Sequence, residues 1–201
     1  MENNIPVLDN EEVWASKAID DYSLKMRLNA PQLMWIDVIT AILAQPTFDV
    51  KIGNMGYVFL NMIAKFVSSS DYYRVSTGVF NSVIKSNLEL HQLILNDAPL
   101  DMKKFFYGKD KPSLLEHMVP TSVIGKSLLA LGREPTKEQV SFILRNSGEV
   151  AIILRTEDKL LSKSKMPENW NFSDSYYARY LEAGVTLEEE IRVKRNGSIY
   201  R

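Results

Sequence analysis

The stretch QLMWIDVITAILAQ, residues 32–45, decides the prediction of the fold. Placed on a helix it is apolar on nearly every side, and only Asp37 and Thr40 form a narrow polar stripe. Pro31 is well tolerated in a first helical turn, and Pro46 ends the pattern. A helix of this kind has to be buried by its neighbours, so the sequence predicts a central helix.

Further helices are predicted on both sides of this central one. Each begins at a side chain that accepts hydrogen bonds from the first turn, or at a proline that tolerates that position. The predicted helices run from Asp9 or Asn10 to Leu28, from Ser70 to Lys85, from Pro112-Ser113 towards Met118, and onward from a capping box formed by Thr136 and Gln139. The sequence is therefore helical in character over most of its length.

The last quarter of the chain supplies the predicted β structure. The segment EVAIILR, residues 149–155, is apolar and rich in β-branched residues, which indicates a buried strand. In EIRVKRNGSIYR, residues 190–201, Asn196-Gly197 is typical of a two-residue hairpin turn. The predicted fold class is mainly α: a compact helical domain with a small β element near 149–155 and in the C-terminal hairpin 190–201.

Length and composition are those of one globular domain. The chain has 201 residues, of which 45% are hydrophobic and 24% charged. We predict a flexible N-terminal tail at 1–9, a helical core at 10–148, and an α+β C-terminal part at 149–201 packed on the same domain. No apolar run is long enough to span a membrane, and the chain contains no cysteine. These features predict a cytoplasmic protein without membrane contact.

Charge is distributed unevenly along the chain, although the net charge is only −1. Residues 1–100 contain 7 Lys and Arg against 11 Asp and Glu, whereas residues 101–201 contain 17 against 14. The second half is thus the more basic half. An anionic partner is expected to bind there.

The stretch DMKKFFYGKDKP, residues 101–112, combines lysines with three consecutive aromatic residues. In one interpretation it is a nucleic-acid contact, in which Phe106 stacks on a base while lysines bind phosphates. In the other, both phenylalanine rings anchor a helix end in the core, and the lysines only keep it soluble. The candidate contact residues are Lys103, Lys104, Phe106, Lys109 and Lys111.

The C-terminal hairpin carries a second candidate anion site. With Asn196-Gly197 as the turn, Arg192 lies opposite Arg201, and Lys194 lies on the same face. Like charges directly opposite each other destabilise a sheet, so this face is expected to bind an anion. The candidates are the acidic run 188–190 of the same chain, an acidic protein surface or a phosphate group.

No catalytic residue can be assigned from the sequence. Gly125-Lys126-Ser127 lacks the preceding glycine of a phosphate-binding loop, because position 120 is proline. His91 and His117 are the only histidines and do not form a zinc-binding pattern. We therefore expect no metal and no cofactor. An enzyme whose carboxylates and basic residues meet only in the fold is a further alternative.

The function that these observations favour is contact-based. We predict a non-enzymatic helical subunit or accessory factor of a larger assembly, with a nucleic-acid-linked assembly of viral or phage type as one candidate. A protein partner or self-association is expected, since eight methionines and many aromatic residues suit adaptable surfaces. The alternative is a dedicated nucleic-acid-binding protein that uses the basic second half.

Overall fold

The computed structural model describes residues 28–96, 98, 100–147, 149–194 and 199–200. The predicted tail at residues 1–9 and nearly all of the predicted first helix lie outside the described residues. The predicted turn at Asn196-Gly197 and the terminal Arg201 lie outside them as well.

The described elements follow one another along the chain as helices interrupted by short strands. The first half contains α1 (Ala30–Leu43), α2 (Met55–Ser68), β1 (Tyr72–Ser76), α3 (Thr77–Val79), a π-helix (Phe80–Ile84), α4 (Leu88–Leu95) and α5 (Met102–Phe105). The second half contains β2 (Ser113–His117), α6 (Thr121–Ala130), α7 (Lys137–Arg145), β3 (Val150–Leu154), α8 (Arg155–Asp158), α9 (Ala178–Glu182), β4 (Leu187–Lys194) and β5 (Ile199–Tyr200).

Helix α1 is the predicted central helix, and its start is set by a capping box. The Asn29 side chain accepts a hydrogen bond from the backbone N–H of Gln32, and the Gln32 side chain accepts one from the backbone N–H of Asn29. Ile36 and Ile39 are fully buried between α1, α2 and α7. The prediction of a core helix is confirmed along this face, whereas Met34 on another face is 51% exposed.

Five strands form one mixed sheet in the order β2-β3-β1-β4-β5. Strands β1 and β3 are parallel, and the other neighbouring pairs are antiparallel. Side chains alternate between the two faces. In β3, Val150 and Ile152 pack into the core with the long helices, whereas Ala151 and Ile153 join a second cluster with Leu161 and Tyr180. The sheet is therefore covered on both faces.

The prediction of a mainly α fold is wrong, because the sheet extends through the middle of the chain. Residues 72–76 and 113–117, which the capping pattern places in helices, are strands β1 and β2. Both strands are five residues long, and every residue in them is buried or partly buried, so they lack the clean polar–apolar alternation of a half-exposed strand. The strand predicted at 149–155 is present as β3.

Candidate functional site

The stretch that combines lysines with aromatic residues folds as the short helix α5 and the loop after it. Asp101 caps the helix by accepting a hydrogen bond from the backbone N–H of Lys104, at 3.0 Å. Phe105 is 6% exposed and Phe106 is fully buried. The Phe106 ring is thus inaccessible to a base, which corrects its assignment as a contact residue and favours the interpretation with both rings in the core.

The buried position of Phe106 follows from where the helix ends. A continuous helical turn over residues 101–107 would point the two rings about 100° apart. Helix α5 instead ends at Phe105, and Phe106 is its C-cap residue, with a φ of −114° against about −63° in a regular α-helix. Its carbonyl also accepts a hydrogen bond from the Ser113 hydroxyl at the start of β2. Both rings are therefore directed into the core.

An open depression of about 570 Å³ lies beside α5. One wall is the π-helix together with the turn that follows it. The backbone N–H of Lys85 donates to the carbonyl of Phe80, which is the wide spacing that defines this rare helix. Short π-helical segments are frequent at functional sites. The residues that line the depression include Ser82, Ser86, Asn87, Leu88, Lys104 and Lys111.

The structure brings two of the predicted lysines, Lys104 and Lys111, to this depression. The Lys104 ammonium lies 2.6 Å from a carboxylate oxygen of Glu89, and both side chains are more than half exposed. An exposed pair of this kind contributes about 0–1 kcal/mol, so Lys104 can leave Glu89 for another anion at little cost. Lys103 and Lys109 are exposed but do not line the depression.

Arg155, which the sequence does not single out, holds the lysine-bearing loop in place. Its Nε donates to the carbonyl of Lys111 and its Nη2 to the carbonyl of Gly108, both at 2.7 Å. Its backbone N–H also bonds the carbonyl of Pro112. Arg155 therefore fixes the side of the depression that carries Lys111. Arg155 is more than forty positions away from Gly108 and Lys111 in the chain, so no local sequence pattern predicts these contacts.

The C-terminal basic residues are placed differently from their prediction. Arg192 pairs with Tyr200, not with Arg201, and Val193 pairs with Ile199, so the hairpin register is shifted by one residue. The buried Val193 also pairs with Tyr73 of β1, and this contact fixes the position of β4 in the sheet. The side chain of Lys194 and all of Arg201 lie outside what the structure describes.

Arg192 faces another arginine, but on a different strand from the predicted one. Across β1 and β4 it is the direct partner of Arg74. The Nε of Arg74 lies 2.9 Å from the buried carboxylate of Glu149, which offsets the repulsion between the two guanidinium groups. Glu149 raises the pKa of Arg74 although burial acts to lower it. An anion-binding role for Arg192 stays a prediction.

Two tyrosines cover the Arg74–Glu149 pair. The guanidinium of Arg74 lies 5.5 Å from the ring centre of Tyr177, and the rings of Tyr176 and Tyr177 are 4.5 Å apart. Burial, and then the nearby Glu149 carboxylate, raise the pKa of Tyr176 well above its usual range. Tyr176 is therefore a neutral hydrogen-bonding group near pH 7.

Arg179 forms the most heavily bonded buried charge in the described part of the chain. It is 1% exposed and donates to four acceptors on two different segments. These are the carbonyls of His117 (2.5 Å), Met118 (3.3 Å) and Ser162 (2.5 Å) and the carboxylate of Glu116 (3.0 Å). Glu116 stands alone as a charge within the apolar run Leu114–Val119, which is the signal that could have indicated a buried partner.

A second, smaller cleft of about 220 Å³ lies between α2 and the edge of the sheet. It is lined by Asn61, Ala64, Lys65 and Ser68 of α2 together with Leu115, His117 and Val150. Burial lowers the pKa of His117, and the neighbouring Arg179 lowers it further, against the opposing effects of Glu116 and the Ala64 backbone. His117 is therefore neutral near pH 7.

The lowered pKa of His117 predicts a loss of stability on mild acidification. Below about pH 6.5 the unfolded chain takes up the proton first, so the free energy of unfolding should decrease as the pH falls. His117→Gln should flatten this dependence between about pH 7 and 5.5 when urea denaturation is measured at each pH. His91→Gln serves as the control for the other histidine. An equally steep dependence in His117→Gln would contradict the assignment.

Comparison with known proteins does not identify the chain: no family model, curated protein or solved structure matches it. Within the described residues, no helix is both long and apolar enough to cross a membrane. The same residues contain no group of three or more His, Asp or Glu side chains that could hold a metal ion.

Proposed function

We propose that the protein works by contacts, as a non-enzymatic subunit or accessory factor of a larger assembly, and that the depression beside the π-helix is its contact site. A protein is the proposed partner. A cytoplasmic location is part of this proposal, because a chain without cysteine does not depend on an oxidising compartment.

The observation that carries this proposal is the combination of an exposed leucine with two lysines at one depression. Leu88 is 72% exposed, although it is large and apolar. It lies at the depression with Lys104 and Lys111, and hydroxyl and amide groups of the π-helix side complete the lining. A bound protein would bury the Leu88 side chain and bring acidic groups to the two lysines.

The openness of the site also supports contact with a macromolecule. The lining includes the ends of several elements and a surface ion pair, Lys104–Glu89, that rearranges easily. A partner segment with one apolar side chain and one carboxylate would cover Leu88 and take over Lys104. Such exchange of a weak internal pair for an intermolecular one adds specificity more than affinity.

Site-specific crosslinking tests the proposal in the native cells. A photoreactive benzoylphenylalanine in place of Leu88 should give discrete covalent adducts with a protein, and alanine at Lys104 and Lys111 should reduce their yield. The matched control places the same group at Leu181, which is 69% exposed and does not line the depression. Equal adducts at both positions, or none at Leu88, would refute the contact site.

Nucleic acid is the second candidate partner, supported by the four lysines around α5 and its loop. Changing Lys103, Lys104, Lys109 and Lys111 to Ala should leave the free energy of unfolding within about 0.5 kcal/mol. If these lysines bind phosphates, the plot of log affinity against log salt should become shallower by about 0.7–0.9 for each phosphate that is no longer neutralised.

The lysine comparison needs a variant with the same change in net charge. Alanine at Lys51, Lys126, Lys159 and Lys165, which are all exposed and outside the depression, provides it. Fluorescence titrations of a single-stranded oligonucleotide at several salt concentrations give the slope for each protein. If the slope of log affinity against log salt is the same for the wild type and both variants, the lysines around α5 do not bind phosphates. They would then only keep the surface soluble, and a protein would remain the candidate partner.

A further inference from the structure

Strand β2 is an edge strand, and its free side can be deduced from two flanking hydrogen bonds. The sheet order places β3 on one side of β2 and no described strand on the other. The backbone N–H of Met118 donates to the carbonyl of Glu149, and that of Arg155 donates to the carbonyl of Pro112. Both bonds belong to the same antiparallel register.

Hydrogen-bonded residues alternate in an antiparallel ladder, so the two flanking bonds fix the direction of every backbone group between them. Pro112, Leu114, Glu116 and Met118 face β3. Ser113, Leu115 and His117 consequently direct their backbone N–H and C=O groups away from the sheet.

Part of this outer edge is already occupied. Ser113 is fully buried, and the carbonyl of His117 is bonded to Arg179. The N–H and C=O of Leu115 and the N–H of His117 have no hydrogen-bond partner among the described residues. These three groups lie in one row at the spacing of a β ladder, which is the pattern that a further extended strand completes.

The cleft beside α2 is lined by the two residues that carry this row, Leu115 and His117, and it also reaches Val150 of β3. One face of α2, with Asn61, Lys65 and Ser68, forms its opposite wall. Its volume of about 220 Å³ is below the ~300–1,000 Å³ typical of small-molecule sites, so it suits a short piece of extended chain. Lys65 is exposed and has no ionic partner among the described residues, which favours an acidic side chain in the occupant.

We propose that the β2 edge and α2 form a groove that binds an extended acidic peptide segment of a partner protein as an additional strand. Main-chain hydrogen bonds to Leu115 and His117 supply recognition of the strand, and Lys65 selects a carboxylate. The groove shares no lining residue with the depression beside the π-helix. This inference therefore stands independently of the proposed function.

Amide hydrogen exchange in the free protein tests the direction of the backbone groups. The amides of Leu115 and His117 should exchange faster than those of Leu114, Glu116 and Met118 by a factor of about 10 or more, because only the latter donate to β3. Uniform protection across β2 would show that its outer edge is covered and would overturn the proposal.

Binding is tested with two synthetic libraries of seven-residue peptides. One has Glu fixed at the centre, the other has Lys, and the remaining positions are randomised. The Glu library should yield peptides that bind with a Kd below about 1 mM, and Lys65→Gln should raise that Kd. Leu115→Pro removes an outward N–H without breaking a β2–β3 bond, so it should weaken binding about 10-fold or more. Leu115→Val keeps the N–H and serves as the control.

Three outcomes would overturn the proposal of a peptide-binding groove. The first is that wild type and Leu115→Pro bind peptide equally well. The others are that no peptide of the Glu library binds, or that peptides of the Lys library bind more tightly. A wild-type dimer that Leu115→Pro dissociates would make a second copy the occupant instead. If Leu115→Pro does not fold, amide hydrogen exchange of the wild type is measured with and without peptide. Bound peptide must then slow the exchange of the Leu115 and His117 amides. Alanine at Lys104 and Lys111 should leave peptide binding unchanged, which separates this site from the depression.

Discussion

Replacing Arg179 by Met should lower the free energy of unfolding by about 3–5 kcal/mol. The methionine fills a similar volume, so the decrease reports the hydrogen bonds and the charge instead of a cavity. Without the guanidinium, the carbonyls of His117, Met118 and Ser162 have no buried donor, and Glu116 keeps a largely buried, unpaired charge. Urea denaturation followed by circular dichroism measures the change.

Two variants sharpen this result. Lys163→Ala removes an exposed ammonium that pairs with Asp158, and it should change the free energy of unfolding by no more than about 1 kcal/mol. The double change Arg179→Met with Glu116→Gln should be less destabilising than the sum of its parts, since it leaves no unpaired charge. A decrease below about 1 kcal/mol for Arg179→Met alone would mean that α9 is not held to β2 by this arginine.

Ile39→Ala should lower the free energy of unfolding by about 2–5 kcal/mol. Ile39 is fully buried on the face of α1 that packs against α2 and α7, and both neighbouring helices are anchored elsewhere. The removed side-chain carbons would therefore leave a cavity instead of allowing the helices to close. Thermal and urea denaturation, monitored together, give the stability and show whether unfolding stays two-state.

The control for Ile39 lies on the same helix. Met34 is 51% exposed, so Met34→Ala should change the free energy of unfolding by about 0.5 kcal/mol or less. Alanine has the higher helix propensity at both positions, and its gain is larger over Ile than over Met, so a greater loss of stability at Ile39 than at Met34 reports burial. Equal decreases for both variants would indicate that α1 is packed all round, and a negligible decrease for Ile39→Ala would place its inner face at a surface.

The parts of the fold that were predictable are those with strong local chemistry. The central helix has both its capping box and its apolar length in the sequence, and the box of Thr136 and Gln139 begins α7 as expected. Strand β3 is a continuous apolar run. Strands β1 and β2 were missed because Arg74 and Glu116, which make them look partly polar, are neutralised by distant partners.

The candidate site was only partly accessible to the same reasoning. The sequence indicated a basic stretch, and two of its lysines do reach one depression. The wall that completes it comes from the π-helix and α4, and its loop is fixed by Arg155. These contacts join segments far apart in the chain, and the backbone direction of β2 depends on its register against β3. Neither property has a local pattern.

The position of β1 in the sheet has a consequence for the rate of folding. This strand has neighbours on both sides, β3 and β4, and both come much later in the chain. Closing such long loops is entropically unfavourable before any ladder bond compensates. Helices α1 and α2, adjacent in sequence, need no such closure. Refolding should thus be slower than for an all-helical protein of this length, with helical signal recovering before the burial of Tyr73.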